Sequence, residues 1–133
     1  MTMKKKLTVE TSAPKEVLNV TDVIAQEVGS VERGLLLVSI PHTTAAIFLA
    51  EDDAELREDY IKVAENTLAG LRPFKHIRKQ NPNTEAHVFS SLFGSSLTLL
   101  VEDGKLGLGT FQNVLFLEMD GPKERTLELN LFS

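Results

Sequence analysis

The stretch LLLVSIPHTTAAIFLAEDD, Leu35–Asp53, decides how this chain is read. It contains two short continuous apolar runs, 35–40 and 45–50, each of the length of a buried strand. Between them stands Pro41-His42-Thr43-Thr44. A connection that only reversed the chain would use Asn-Gly or a similar pair. A proline, an imidazole and two β-branched hydroxyls suit that job poorly. The second run closes on Glu51, Asp52 and Asp53. If the runs pair as a hairpin, these acids fall at its far end. If they lead into a helix instead, they meet the positive end of its dipole.

Upstream, Leu7, Val9 and Thr11 alternate with polar residues, as in a half-buried strand. Asn19-Val20-Thr21-Asp22 opens a short helix that Gly29 can end. Downstream, Asp52 or Asp53 is placed to cap a long helix through Leu68, with Leu56, Tyr60, Val63 and Thr67 on its inner stripe. A basic, proline-containing loop runs from Arg72 to Pro82, and a shorter helix spans Asn83 to Gly94. The remainder reads as strands over 97–101, 106–110, 114–119 and 126–132, joined at Asp103-Gly104 and Asp120-Gly121-Pro122. Strands that adjoin across hairpins and outnumber helices predict an α+β fold. We expect one domain over 1–133, a largely antiparallel sheet or sandwich with two to three helices.

At 133 residues the chain can bury a real core. It is 42% hydrophobic and 25% charged, with a formal charge of -5, which disfavours a general role on nucleic acid or a membrane surface. The three lysines near the start precede no apolar segment of the signal-peptide kind, and no run approaches a membrane span. Without cysteine there is no disulfide framework and no thiolate chemistry, so the cytoplasm is the expected setting.

The histidines are His42, His76 and His87. On the second helix, Asn83, His87, Ser90 and Ser91 share one arc at 100° per residue, opposite Ala86, Val88, Phe89, Leu92 and Phe93. That polar face is either solvated or the wall of a site. His42 is either a hydrogen-bonded structural residue or a functional one with the Thr43 or Thr44 hydroxyl beside it. Asp52 and Asp53 can be plain helix caps, and Asp59 can be a solvated charge. Imidazoles and carboxylates at such separated positions suit a divalent ion such as zinc or magnesium, or acid–base work without metal. Gly94-Ser95-Ser96 and Gly107-Leu108-Gly109-Thr110 offer backbone donors to a phosphate, or serve as a helix end and a turn. No Walker or dinucleotide fingerprint is present, so no nucleotide cofactor is expected.

Taken in order, Pro41-His42-Thr43-Thr44-Ala45, Glu51 with Asp59, Asn83 with Ala86-His87, Leu92-Phe93-Gly94-Ser95-Ser96, Gly104, Leu108-Gly109-Thr110-Phe111-Gln112 and Asp120-Gly121-Pro122 resemble the YjbQ-like family. That family is also called the secondary thiamine-phosphate synthase family. The chain departs from its pattern at Phe111, where tryptophan is usual, at Lys123, often arginine, and in a Glu51–Asp59 segment one residue short. The resemblance implies a compact α+β fold, a homotrimer, and a weak thiamine-phosphate synthase activity that joins an aminopyrimidine diphosphate to a thiazole phosphate. On that reading His42, Glu51, Asp59 and His87 are catalytic, and His42, His76 and His87 hold any metal. Thr43, Thr44, Asn83, Gly94, Ser95, Ser96, Thr110 and Gln112 bind a small phosphorylated substrate or anion. The rival readings are a non-catalytic trimeric binding module for a metal ion or small anionic metabolite, and histidines that only hydrogen-bond across a subunit interface.

Overall fold

The computed structural model of the chain describes residues 2–76 and 83–133, so the end of the expected basic loop, 77–82, lies outside the described residues. In order, the elements are β1 (Thr2–Glu10), β2 (Glu16–Asn19), α1 (Thr21–Ala25), β3 (Arg33–Ser39), β4 (Ala45–Ala50) and α2 (Ala54–Asn66). They continue with α3 (Thr84–Phe93), β5 (Ser96–Glu102), β6 (Lys105–Leu106), β7 (Asn113–Glu118) and β8 (Glu124–Phe132). Short 3-10 turns follow α1 and α2. The fold is α+β, with two antiparallel sheets, one ordered β1-β8-β3-β5-β6 and the other β2-β7-β4.

The two apolar runs of the opening stretch therefore do not form a hairpin. β3 is central in the large sheet and β4 is an edge of the small one. Pro41-His42-Thr43-Thr44 is the crossover between them, which explains why no turn pair is found there. The acids at the far end of β4 lead directly into α2, where the Asp53 carboxylate accepts the Leu56 N–H at 2.7 Å as an N-cap.

The small sheet lies between the large sheet and two helices, so its strands are buried on both faces. Along β7, Val114 and Phe116 join the core between the sheets, while Leu115 and Leu117 face α2 and α3. A continuous apolar run rather than an alternating one follows from this burial on both sides. Each such side chain contributes about 2 kcal/mol of transfer free energy. β8 needs only one apolar face, and there Leu127, Leu129 and Leu131 point inward in strict alternation.

Three local expectations are corrected. The inner stripe of α2 carries Tyr60, Ile61 and Ala64 and is continued by Leu68 just past the helix, whereas Val63 and, at the helix end, Thr67 face outward. The predicted strand over 106–110 stops at Leu106, because the Gly107 N–H still bonds the Leu100 carbonyl at 2.7 Å before the Leu108 N–H turns back onto Leu106 at 2.9 Å. β2 was not expected at all. Among the described residues no helix is long and apolar enough to cross a membrane.

Candidate functional site

Ladder pairing fixes where the crossover must leave the large sheet. β3 pairs with β8 as far as Ser39 opposite Glu128, and with β5 as far as Ser39 opposite Ser96. Ile40 adds one more bond, to the Ser95 carbonyl at 2.9 Å, and Pro41 then has no N–H to continue. Beyond that point Thr126 of β8, still paired with Thr8 of β1, has no β3 residue opposite its N–H. It donates to His42 Nε2 at 2.8 Å. The imidazole thus ends the ladder, and the neutral ring carries its proton on Nδ1. Burial, and then the Arg125 charge, hold the His42 pKa below its ordinary 6.5, against the pull of Glu118. Accepting an N–H also requires a free lone pair on Nε2, which favours the neutral ring.

Beneath His42 lies a buried ion pair. Glu118 is fully buried at the end of β7, and Arg125 is 4% exposed near the start of β8. Arg125 Nε donates to Glu118 Oε1 at 2.7 Å, and Nη2 donates to Glu118 Oε2. Nη2 also reaches the Thr44 hydroxyl at 2.9 Å and the Thr44 carbonyl at 3.3 Å. Glu118 further accepts from the Thr11 hydroxyl and from the N–H groups of Met119 and Asp120. Burial alone would raise its pKa, but these donors, Arg125 foremost, hold it below the ordinary value. Arg125 Nη1 makes no hydrogen bond to the described residues, although the side chain lines the cleft beside His42.

The opposite wall is α3. The Ser90 hydroxyl donates to the carbonyl of Ala45, the first residue of β4, at 2.6 Å. Gly94 ends the helix at φ +101°, a conformation that favours glycine, and its carbonyl accepts the Ile47 N–H at 3.0 Å. These two ties set α3 against β4, so His87 comes to face the crossover. The resulting cleft has two lobes. One, of about 300 Å³, is lined by Pro41, Thr44, Asn83, Asp120, Lys123 and Arg125, together with His42, Thr43 and His87. The other, of about 200 Å³, shares those last three residues and adds Ser90, Ser91 and Ser95. Lys123 Nζ and Asn83 Nδ2 both donate to Asp120 Oδ2, at 2.9 and 3.1 Å. Among the described residues Asn83 Oδ1 is buried with no hydrogen-bond partner, a deficit of about 1–3 kcal/mol of the kind found at functional sites.

Of the residues singled out in the sequence, His42, Thr43, Thr44, Asn83, His87 and Ser95 are brought to this cleft. Thr44 is buried and holds Arg125 rather than facing a ligand. His76 packs edge-on against His87, with ring centroids 5.3 Å apart. Among the described residues no three His, Asp or Glu side chains converge as metal ligands, so the expected set of His42, His76 and His87 is not assembled. Gly94 spends its N–H on the Ser90 carbonyl, and Ser96 lies in β5 opposite Ser39. Glu51 is exposed at the other end of β4, about 17 Å along the strand at ~3.3 Å per residue. Asp59 is exposed on α2. Thr110 and Gln112 belong to the loop entering β7 beside Ala50, where Gln112 Oε1 closes the loop on the Gly109 N–H at 2.9 Å. Glu118 and Arg125 were missed by sequence reasoning, Asp120 was noted only as part of a turn and of the family pattern, and Lys123 only as a departure from that pattern.

A family model described as UPF0047 protein YjbQ-like matches residues 5–133. The chain belongs to the YjbQ-like UPF0047 family. Among its relatives, a UPF0047 protein of Archaeoglobus fulgidus is 40% identical, over 90% of this chain and 93% of its own. The UPF0047 protein YugU of Bacillus subtilis is 34% identical, over 97% of this chain and 98% of its own. A hypothetical protein from Aeropyrum pernix K1 shares the fold with a TM-score of 0.90 at 36% identity, covering 98% of both chains. A YbjQ-like protein of unknown function from Sulfolobus solfataricus P2 also gives 0.90, at 29% identity, over 98% of this chain and 96% of its own.

These relatives overturn the functional expectation. The family is a UPF0047 family without an assigned activity, and its members are described as uncharacterised rather than as thiamine-phosphate synthases. The geometry agrees with that correction, because the carboxylates Glu51 and Asp59 needed for the expected reaction are separated from His42 and His87. The thiamine-phosphate synthase reading is withdrawn.

Proposed function

We propose that the cleft binds a small anion, a phosphate or carboxylate group, at Arg125, Lys123 and the N–H of neutral His42. His87, whose ring makes no hydrogen bond to the described residues, is then positioned to exchange a proton with the bound molecule. The supporting observation is Arg125. A buried ion pair kept only for stability could be replaced by apolar side chains at little cost. Here the guanidinium is instead fixed by Glu118 and Thr44 with one amino group left over at the wall of a cleft. A donor held rigidly in this way loses little entropy when an anion arrives.

Calorimetric titration with inorganic phosphate tests the proposal. The wild type is expected to bind, and Lys123→Ala to weaken binding roughly tenfold, about 1.4 kcal/mol. Glu51→Gln is expected to match the wild type. No binding by the wild type, or an equal loss in Glu51→Gln, would overturn it. Self-association into the trimer implied by the family resemblance would fit the exposed Leu35, Leu100 and Phe132 on the outer face of the large sheet. Sedimentation equilibrium giving a monomer at micromolar concentration would exclude that assembly. A chain without cysteine needs no oxidising compartment to form disulfides, which is compatible with the cytoplasm as its setting.

A further inference from the structure

We infer that the ligand of this cleft is bipartite: an anionic group in the lobe of Arg125 and Lys123, joined to a short hydroxylated tail in the lobe of Ser91 and Ser95. The inference rests on the anion reading above and adds the class of molecule. Its basis is the chemical difference between two lobes that share a waist.

The waist is formed by His42, Thr43 and His87, which line both lobes. On one side stand two cationic side chains and the Asp120 carboxylate. The other side has no Lys, Arg, Asp or Glu among its lining residues, only the serines Ser90, Ser91 and Ser95. A lone phosphate fills only the first lobe. A second charged group would find no counter-charge in the serine lobe, and burying it there would be costly. An alkyl tail would cover hydroxyls without satisfying them. The Ser90 hydroxyl is committed to the Ala45 carbonyl at 2.6 Å and the Ser91 hydroxyl to the Val88 carbonyl at 2.7 Å. Each such hydroxyl has donated its proton and keeps lone pairs that can accept. The lobe therefore presents acceptors, and its complement is a tail that donates, as an alcohol does. The bond joining head to tail would lie between the two imidazoles, within reach of proton exchange at His87.

The test compares inorganic phosphate, glycerol phosphate and propyl phosphate as titrants of the full chain. Two or three hydrogen bonds to the tail predict that glycerol phosphate binds roughly tenfold more tightly than either other probe. Ser91→Leu, on an exposed turn of α3, fills the serine lobe and should bring the affinity ratio of glycerol phosphate to phosphate close to one. Ser95→Ala should lower that ratio by roughly threefold. If phosphate binds but all three probes bind the wild type equally, or if the ratio survives Ser91→Leu, the bipartite ligand is wrong and the anion site stands. If phosphate does not bind the wild type at all, the anion reading fails and this inference falls with it.

Discussion

At the His42 end of β4, polar groups are buried and left incomplete, whereas at the Glu51 end they satisfy one another. Arg57 donates to Asp52 from Nε at 2.6 Å and Nη2 at 2.8 Å, and to the Val17 carbonyl from Nη1 at 3.1 Å. Asn19 bridges Asp52 and Asn113 at 2.9 and 3.1 Å, and Thr21 accepts the Val114 N–H at 2.8 Å. Asp53 caps α2. That network is closed, and it fastens α2 to the edges of the small sheet. The crossover end instead leaves Arg125 Nη1, the His87 ring and Asn83 Oδ1 without hydrogen-bond partners among the described residues. A closed network stabilises the fold by itself, whereas an open one is completed by something that binds.

The comparison breaks most visibly at the buried pair. Arg125→Met leaves Glu118 as an uncompensated buried charge and should cost about 3–5 kcal/mol in denaturant unfolding. The double variant Arg125→Met/Glu118→Leu should recover most of that stability while losing phosphate binding. A double variant as unstable as the single one would mean that the pair is itself the main support of this end.

Acid titration separates the two ends by their pH windows. His42 has a lowered pKa, so the unfolded chain binds its proton first. Its contribution is fully present above the ordinary 6.5 and is lost as pH falls toward the folded value. Asp52 is lowered chiefly by its Arg57 hydrogen bonds, so its contribution persists down to its ordinary 3.8 and is lost below it. As pH falls, amide protection, taken relative to the intrinsic exchange rate at each pH, should therefore drop around Thr126 before it drops around Asn19. His42→Gln should remove the upper step. Simultaneous loosening of both ends would contradict the assignment of the Thr126 contact to neutral His42.

Smaller effects are expected at the Glu51 end. Arg57→Met should cost about 1 kcal/mol or less and become milder still in high salt, because its side chain is 37% exposed. Phosphate affinity should not change. Glu51→Gln should alter stability by less than about 0.5 kcal/mol. A larger loss in either variant would assign that end more than a fastening role.

The strands of β4, β7 and β8 were legible because burial on two faces or one writes itself as a continuous or alternating apolar pattern. The partition into two sheets was not, since a crossover and a long hairpin loop look alike along a string. β2 was hidden because only Val17 of its four residues is buried. On α2 the bulk of Val63 misled, while the smaller Ala64 is the residue inside. His42, Asn83 and His87 could be singled out by type and helical phase. Arg125 and Glu118 carried a signal that went unread. Extending the β8 alternation back by one step puts Arg125 on the face of Leu127, Leu129 and Leu131, and Glu118 closes the apolar run of β7. A charge at core parity on two strands that follow one another in the chain, one from each sheet, is the mark of a buried pair. Glu51 and Asp59 drew attention by following β4 in sequence and through the family resemblance, but the length of β4 carries Glu51 away from His42, and Asp59 lies farther along the chain on α2.

The most direct test of the central claim is a titration of the isotopically labelled protein with inorganic phosphate, followed through its backbone and imidazole resonances. The account predicts that Lys123, Arg125, Thr126 and the rings of His42 and His87 shift in saturable fashion, with His42 neutral and protonated on Nδ1 at pH 7, while Asn19, Asp52 and Asn113 stay in place. Shifts centred on Asn19 and Asp52, or a His42 ring that carries its proton on Nε2, would contradict it.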